Sequence, residues 1–486
     1  MLKKLASQTA TYGLTSILGR LIGNLLLPLQ TARLSLRDFS ALSEILAYAA
    51  VLSVVFPLGL ETALFRYSHD DLAKKEETEQ KITTLQILVV AVLLPLTFLW
   101  LKTRLHELEN VDIMVIACTL ALDGIAGIFL ARIRNANRSL RFLLVRLGSI
   151  GLTILLNLLF LSSIPFFDSL NPMGVNYRLI VYINFLASLL TFLFMPDVWI
   201  RFRFLWDKAF SSKVLRFSVP IVLMGIVGVS NDIFGRIWLE SLTPSGFYGA
   251  IENKDLIGIY SGCAKVAIFI NLGIQAYRYA ADPFFFSIQD KKNTAAYLSK
   301  SFTWFVAAGL LALVAIQCNI ELIVRIFLRK PEFMLGLDAI FLLLLANFFF
   351  GVYYNLSFWY KFSDRTYWGT LISISGLAIN AGLNFVLVPI WGMTGSAMAL
   401  LLCYLAMCVF SWIKSRDFFS VDWAYGKVFA LIFFALGLCL LARIFPFQSS
   451  WQKAGIGIAF PCFLLAFIVW IQKTEIFKRF RIEGTR

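Results

Sequence analysis

Residues 368–412 read WGTLISISGLAINAGLNFVLVPIWGMTGSAMALLLCYLAMCVFSW, forty-five positions without one Asp, Glu, Lys or Arg. A hydrocarbon layer about 30 Å thick is crossed by about 20 apolar residues of helix, so this stretch is long enough for two crossings. The reading is a span over Trp368 to Pro389 followed by a span over Met393 to Trp412. Gly392, Gly395, Ser396, Ala397 and Ala399 are small enough for close helix approach in lipid, where packing holds helices together.

Working outward, similar apolar runs recur along the whole chain. They cover approximately Gln8 to Thr31, Phe39 to Leu64, Ile82 to Leu101, Val111 to Leu130, Phe142 to Leu161, Leu179 to Met195 and Val214 to Trp238. Leu256 to Tyr277, Phe302 to Ile320 and Met334 to Phe358 follow, and Val428 to Phe445 and Ala454 to Ile471 lie beyond the opening pair, giving fourteen spans in all. With 59% hydrophobic and 15% charged residues among 486, the chain lacks the polar surface of a water-soluble protein. Connections of about two dozen residues at most leave no room for a folded extramembrane catalytic domain. The first span is too long for a signal-peptide core and is expected to stay in the protein. The seven cysteines lie inside apolar runs without CxxC spacing, so they read as packing residues, neither disulfides nor metal ligands.

Three weak internal matches share a similar offset: Gly19-Arg20-Leu21 with Gly235-Arg236-Ile237, Ser43 with Ser261, and Leu156-Asn157-Leu158 with Leu383-Asn384-Phe385. Together they give an all-α integral membrane protein of about fourteen transmembrane helices, with two parallel six-helix lobes and two further C-terminal helices. The expected boundaries are a lobe over 1–197, a cytoplasmic interfacial linker over 198–213, a lobe over 214–416, and two helices with a cytoplasmic tail over 417–486. Trp199, Phe202, Phe204 and Trp206 interleave with Arg201, Arg203 and Lys208 in the linker, a pattern that fits an interfacial helix or ordinary span-flanking anchors.

Lys and Arg are retained on the cytoplasmic side of short loops. With the N-terminus inside, the inner segments carry 29 basic residues and the outer ones 11. Both termini are therefore expected in the cytoplasm, in a multi-pass protein of the bacterial inner membrane. The formal net charge of +15 follows from this bias and from anionic headgroups, so it does not argue for nucleic acid. Four bases remain inside spans: Arg20, Arg146, Arg236 and Lys265. An intramembrane charge is costly and faces a water-filled cavity or a partner unless it reaches the interface. Arg146 lies near the start of its span and reads as a snorkelling side chain. Arg20 and Lys265 lie deeper and are candidates for anion binding, with a structural ion pair as the alternative. Arg20, Ser16 and Asn24 form a polar stripe at i, i+4 spacing, and guanidinium matches phosphate oxygens bidentately. Arg236 shares a helix face with Asp232, so a local salt bridge competes with binding. Asp123 and Asp232 are candidates for ion coupling, to Na+, H+ or the membrane potential, or for neutralising those bases. Glu44, Glu61, Asp112 and Asp338 lie close to span ends.

Asn380 to Ala399, Pro57-Leu-Gly-Leu-Glu-Thr-Ala-Leu-Phe-Arg66 and Gly258-Ile-Tyr-Ser261 resemble patterns of the polysaccharide-export, Wzx-type lipid-linked oligosaccharide flippases of the multidrug/oligosaccharidyl-lipid/polysaccharide superfamily. The likeness covers about the first 420 residues. It departs from the family where relatives commonly carry Asp-Arg and this chain has Gly235-Arg236. The resemblance implies a central cavity of spans one, two, seven and eight, with substrate-binding residues Arg20, Asn24, Lys265 and Arg236 on the pyrophosphate of an undecaprenyl-linked oligosaccharide. It further implies alternating access of two lobes, no catalytic residue, no cofactor and no metal, and a monomer among membrane lipids that works beside glycan polymerase or export machinery. The peptidoglycan precursor lipid II is an alternative cargo. A drug exporter of the same superfamily is expected to place an acid in span one, where this chain has Arg20. A membrane glycosyltransferase would need a long acidic or histidine-bearing loop, and the two histidines, His69 and His106, lie in short ones.

The charge bias predicts that a membrane-impermeant thiol reagent, on cells with a permeabilised outer membrane, labels Ser245→Cys and spares Ala73→Cys. The reverse pattern overturns the orientation.

Overall fold

The computed structural model describes residues 24–70, 75–136, 138–161, 175–286, 291–363, 365, 367–418, 421, 423–444 and 450–483. No strand occurs among the described residues. The chain divides into two compact units, residues 1–261 and 262–486. Described helices of the first are α1 (Leu27–Arg33), α2 (Leu36–Val55), α3 (Leu60–Asp70), α4 (Lys75–Arg104), α5 (Asn110–Asn135), α6 (Ser139–Leu161), α7 (Tyr177–Leu193) and α8 (Lys208–Leu242). α9 (Asn253–Phe286) begins in it and continues into the second unit, which adds α10 (Lys291–Cys318), α11 (Leu337–Leu356), α12 (Tyr367–Phe418), α13 (Tyr425–Ile444) and α14 (Ser450–Glu483).

Ten helices among the described residues are long and apolar enough to cross a membrane, and Tyr177–Leu193 and Gly455–Ile471 are shorter apolar helices. One of the ten, α12, holds two of the expected spans, so thirteen of the fourteen lie on described helices. Most of the remaining one, up to Gly23, lies outside the described residues. Leu99, Leu144, Phe385 and Phe433 each expose more than half of their surface, as a protein does whose outer solvent is lipid.

α12 runs for 52 residues and would reach about 78 Å if straight, more than twice a hydrocarbon core. It is not straight: Gly392 leaves helical geometry at φ 55° and ψ −128°, a left-handed φ that suits glycine. The two arms fold back on each other. A Cβ on Gly395 would sit 2.6 Å from the Leu387 carbonyl carbon, and one on Gly376 would sit 2.6 Å from the Met407 sulfur. These approaches, near the turn and far from it, define an antiparallel hairpin whose seam depends on small residues. The hairpin packs on α11, where Trp359 just beyond that helix is buried and donates from Nε1 to Ser411 Oγ at 3.0 Å.

In the first unit α2 starts on an N-cap, Ser35 Oγ accepting from Asp38 N at 3.0 Å, and stops short of Pro57. Leu58 (φ 45°) and Gly59 (φ 64°) then turn the chain through left-handed geometry before α3 resumes at Leu60. Leu58 accepts a strain of order 1 kcal/mol there. The break frees the Phe56 carbonyl, and buried Gln86 on α4 donates Nε2 to it at 2.8 Å. Polar groups pin α5 at both ends. At its C-terminal end Glu79 accepts from Arg132 Nε at 3.3 Å and from Asn135 Nδ2 at 2.7 Å, while Lys75 Nζ donates to the Asn135 carbonyl at 2.9 Å. At its N-terminal end buried Asp112 pairs with Arg178 Nε at 3.1 Å and accepts from Tyr182 Oη at 2.9 Å. Asp112 is thus a structural anchor.

The stretch 198–213 differs from the interfacial helix that its composition suits. One helical turn, Pro196–Trp199, gives way to irregular chain over 202–207 before α8 starts. Side chains of α4 take up the backbone groups a helix would have paired: Gln80 donates to the Arg201 carbonyl and accepts from Arg203 N, both at 3.0 Å, and Thr84 Oγ1 accepts from Leu205 N at 3.0 Å. All seven cysteines are free, and Cys462 is exposed rather than packed.

The hairpin seam makes a direct prediction. Gly395→Ala lowers the melting temperature of the detergent-solubilised protein, whereas Gly382→Ala, which meets nothing within 4 Å, leaves it unchanged or raises it.

Candidate functional site

A cavity of about 600 Å3 opens inside the first unit, walled by α2, α3, α5, α6 and α7. Three charged residues line it, Glu61, Asp123 and Arg146, with Asn184 and the hydroxyls of Ser53, Thr119, Ser149, Thr153, Ser188 and Thr191. Each charge arrives by a distinct local device. The break at Pro57–Gly59 puts Glu61 in the first turn of α3, where the positive helix end favours a carboxylate. Gly127 makes room for it on α5, since a Cβ there would stand 2.7 Å from Glu61 Oε1. Asp123, one turn earlier on α5, points into the open volume and accepts a hydrogen bond from Ser188 of α7. Arg146 on α6 lies near enough to interact electrostatically with both carboxylates.

Among the described lining residues Glu61 and Asp123 face one guanidinium, Arg146, while Arg134 also acts electrostatically on Glu61. In a low-dielectric setting paired carboxylates are suited to taking up a proton or a monovalent cation. The surrounding hydroxyls and the Asn184 amide are oxygen donors suited to a hard cation. No group of three or more His, Cys, Asp or Glu suited to a transition metal occurs among the described residues.

The residues singled out from the sequence fall in different places. Arg20 lies outside the described residues. Asn24 is buried where the described chain begins. Arg236 is half-buried on α8, and its Nε has no hydrogen-bond partner among the described residues. Asp232, one turn before it, is exposed, and Lys265 is half-buried on the part of α9 that belongs to the second unit. Among the five of these six that are described, Asp123 alone lines the cavity of the first unit. Arg146 lines it too, in place of the snorkelling position its depth suggested. Glu61 is the residue that sequence reasoning passed over as a span-end acid. Its signal was Pro57-Leu-Gly-Leu-Glu61, a break followed at once by a first-turn acid.

One internal match and one motif of the sequence acquire structural content. Asn157 and Asn384 are both buried, both donate Nδ2 to the carbonyl four residues earlier at 2.8 Å, and both leave Oδ1 unpaired among the described residues. Gly258 of the Gly258-Ile-Tyr-Ser261 motif lies against α2, where a Cβ would meet the Ser40 Cα at 2.9 Å.

If Arg146 balances the acids, Arg146→Met lowers the melting temperature, and adding Glu61→Gln to that variant recovers most of the loss. A double variant no more stable than Arg146→Met alone removes the charge-balance account.

No protein-family model and no curated protein matches this sequence. Solved structures do. The lipid II flippase MurJ in an inward closed conformation is 14% identical, with 96% of this chain and 99% of that chain covered and a TM-score of 0.73. A multidrug resistance MATE family transporter of the MOP superfamily, inward-facing, is 12% identical over 82% of this chain and 98% of that one, at a TM-score of 0.60. An outward-facing structure of such a transporter gives 13%, 85%, 95% and 0.55 for the same quantities. At such identities the likeness concerns the fold: this chain is an all-helical, multi-pass membrane protein with the fold of MurJ and the MATE transporters.

Proposed function

We propose that this protein is a flippase of the inner membrane, which carries an undecaprenyl-pyrophosphate-linked oligosaccharide from the cytoplasmic to the periplasmic leaflet by alternating access. The observation that carries this reading over drug export is the extent of the likeness to MurJ. It takes in 96% of the chain, where the MATE structures take in 82% and 85%. An Arg at position 20, in the span where a drug exporter is expected to have an acid, supports an anionic cargo. Arg20, Asn24, Arg236 and Lys265 are assigned to the pyrophosphate, Arg20 through its planar fork.

Lipid II is the second reading, and the MurJ fold is the observation that favours it. Both cargoes present a polyprenyl pyrophosphate with a glycan beyond it, so the same bases serve either. The cavity of Glu61, Asp123 and Arg146 is assigned to coupling. Its paired carboxylates take up a proton or Na+ during the cycle, which links the state of the first unit to an ion gradient.

Flipping measured in proteoliposomes tests the reading. Wild type is expected to move a lipid-linked oligosaccharide or lipid II, Arg20→Lys to lose most of the rate while staying folded, and Asp123→Asn to lose its response to an imposed H+ or Na+ gradient. Transport of neither lipid, with transport of a cationic dye instead, overturns the flippase. A silent Arg20→Lys removes the phosphate grip from that residue.

A further inference from the structure

Along one face of α8 the side chains change character. Lys208, Ser212 and Arg216 stand at i, i+4 and i+8, and Val219 and Pro220 follow about 16 to 18 Å further along the helix from Lys208. With Trp206 of the preceding strap these residues line a groove of about 540 Å3. The groove is built rather than incidental. Gln80 and Thr84, both buried, hold the strap against α4 through three hydrogen bonds of 3.0 Å, so that Trp206 is fixed with 51% of its surface exposed.

Among the described residues its charge is uncompensated. Asp207 is the nearest acid in sequence, and it is committed elsewhere: Oδ1 caps α8 through Phe210 N and Oδ2 accepts from Lys81 Nζ, each at 3.0 Å. Those bonds, the backbone one foremost, hold the Asp207 carboxyl below the usual carboxylate range. Lys208 and Arg216 have no ion-pair partner among the described residues. The strap that leads to Trp206 is apolar as well as basic, with Ile200 and Phe204 exposed beside Arg201 and Arg203. The far end of the groove belongs to the apolar crossing Lys208–Leu242.

A basic, hydroxyl-bearing head edged by an indole, with an apolar tail beyond it, matches one molecule end to end. We propose that this groove binds an anionic phospholipid of the surrounding leaflet, its phosphate between Lys208 and Arg216 and an acyl chain along Val219 and Pro220. A soluble anion has no use for the apolar half, and a peptide cannot follow it into hydrocarbon. Guanidinium and ammonium groups at a leaflet surface attract anionic headgroups, and indole rings favour that depth. The site is independent of the cargo and of the cavity in the first unit.

Binding of phosphatidylglycerol and of phosphatidylcholine to the purified full chain in detergent, counted by native mass spectrometry, tests it. Phosphatidylglycerol is expected to bind at low stoichiometry and phosphatidylcholine not. The double variant Lys208→Gln/Arg216→Gln should weaken phosphatidylglycerol binding roughly tenfold or more. Lys102→Gln/Arg104→Gln, which removes the same charge elsewhere, should leave it unchanged. Ser212→Glu, a single exposed substitution that places an anion in the groove, should weaken it too and guards against misfolding of the double variant. Equal weakening by the two double variants, or none by the groove variants, overturns the site. So does full competition by inorganic phosphate, which would make it a phosphate site, or displacement only by an undecaprenyl pyrophosphate lipid, which would make it part of the cargo path.

Discussion

A broken helix inside a bilayer is tolerated only if the backbone groups it releases find partners, because hydrocarbon supplies none. In this protein that condition is met by one side chain. Gln86, fully buried on α4, donates to the Phe56 carbonyl at the point where α2 ends. An unpaired carbonyl there would cost on the order of 1–3 kcal/mol, in addition to the strain at Leu58. With the bond made, the second half of the span begins a new helix inside the unit, and its first turn carries Glu61 to the wall of the cavity. The position of Glu61 and the room that Gly127 leaves opposite it follow from that break, which sets the carboxylate where Arg146 of α6 can act on it.

The rest of the first unit keeps the cavity open between two anchors. The cluster of Glu79, Arg132 and Asn135 fixes α5 to α4 at one end, and Asp112 with Arg178 and Tyr182 fixes it to α7 at the other. Between them α5 shows glycine or a small residue where a neighbour comes close, at Gly124 against Phe56 and at Gly127 against Glu61. A large side chain at either place would fill the volume that the charged groups face.

The apolar runs, the hairpin at Gly392 and the helical class were legible because lipid imposes length and polarity on every crossing, and those are properties of the sequence alone. The direction a side chain takes around its helix was not. Arg146 sits near a span end, and its depth suggested escape to the interface; its place on the cavity wall depends on the rotation of α6 against α5 and α7, which no local pattern encodes. Glu61 was misjudged for a related reason, since Pro57 is compatible with a mild kink, and the reversal through Leu58 is set by what packs around it. The stretch before α8 has the composition of an interfacial helix, yet Gln80 and Thr84 satisfy its backbone from α4 and so remove the advantage of forming one. Arg20, the base with the strongest sequence case, lies outside the described residues.

The hairpin of α12 has a consequence for how the protein is made. Its turn at Trp391–Gly392 carries no charge, while the basic residues nearest to its two ends, Lys361 and Arg365 before and Lys414 and Arg416 after, lie on the same side of the pair. Such a turn takes no ionised group across hydrocarbon, and the bases flank the pair at one end alone. The two arms are therefore suited to entering a bilayer together as one hairpin. Gly376 and Gly395, each pressed against the opposite arm, allow its seam to close within the membrane before any later helix arrives.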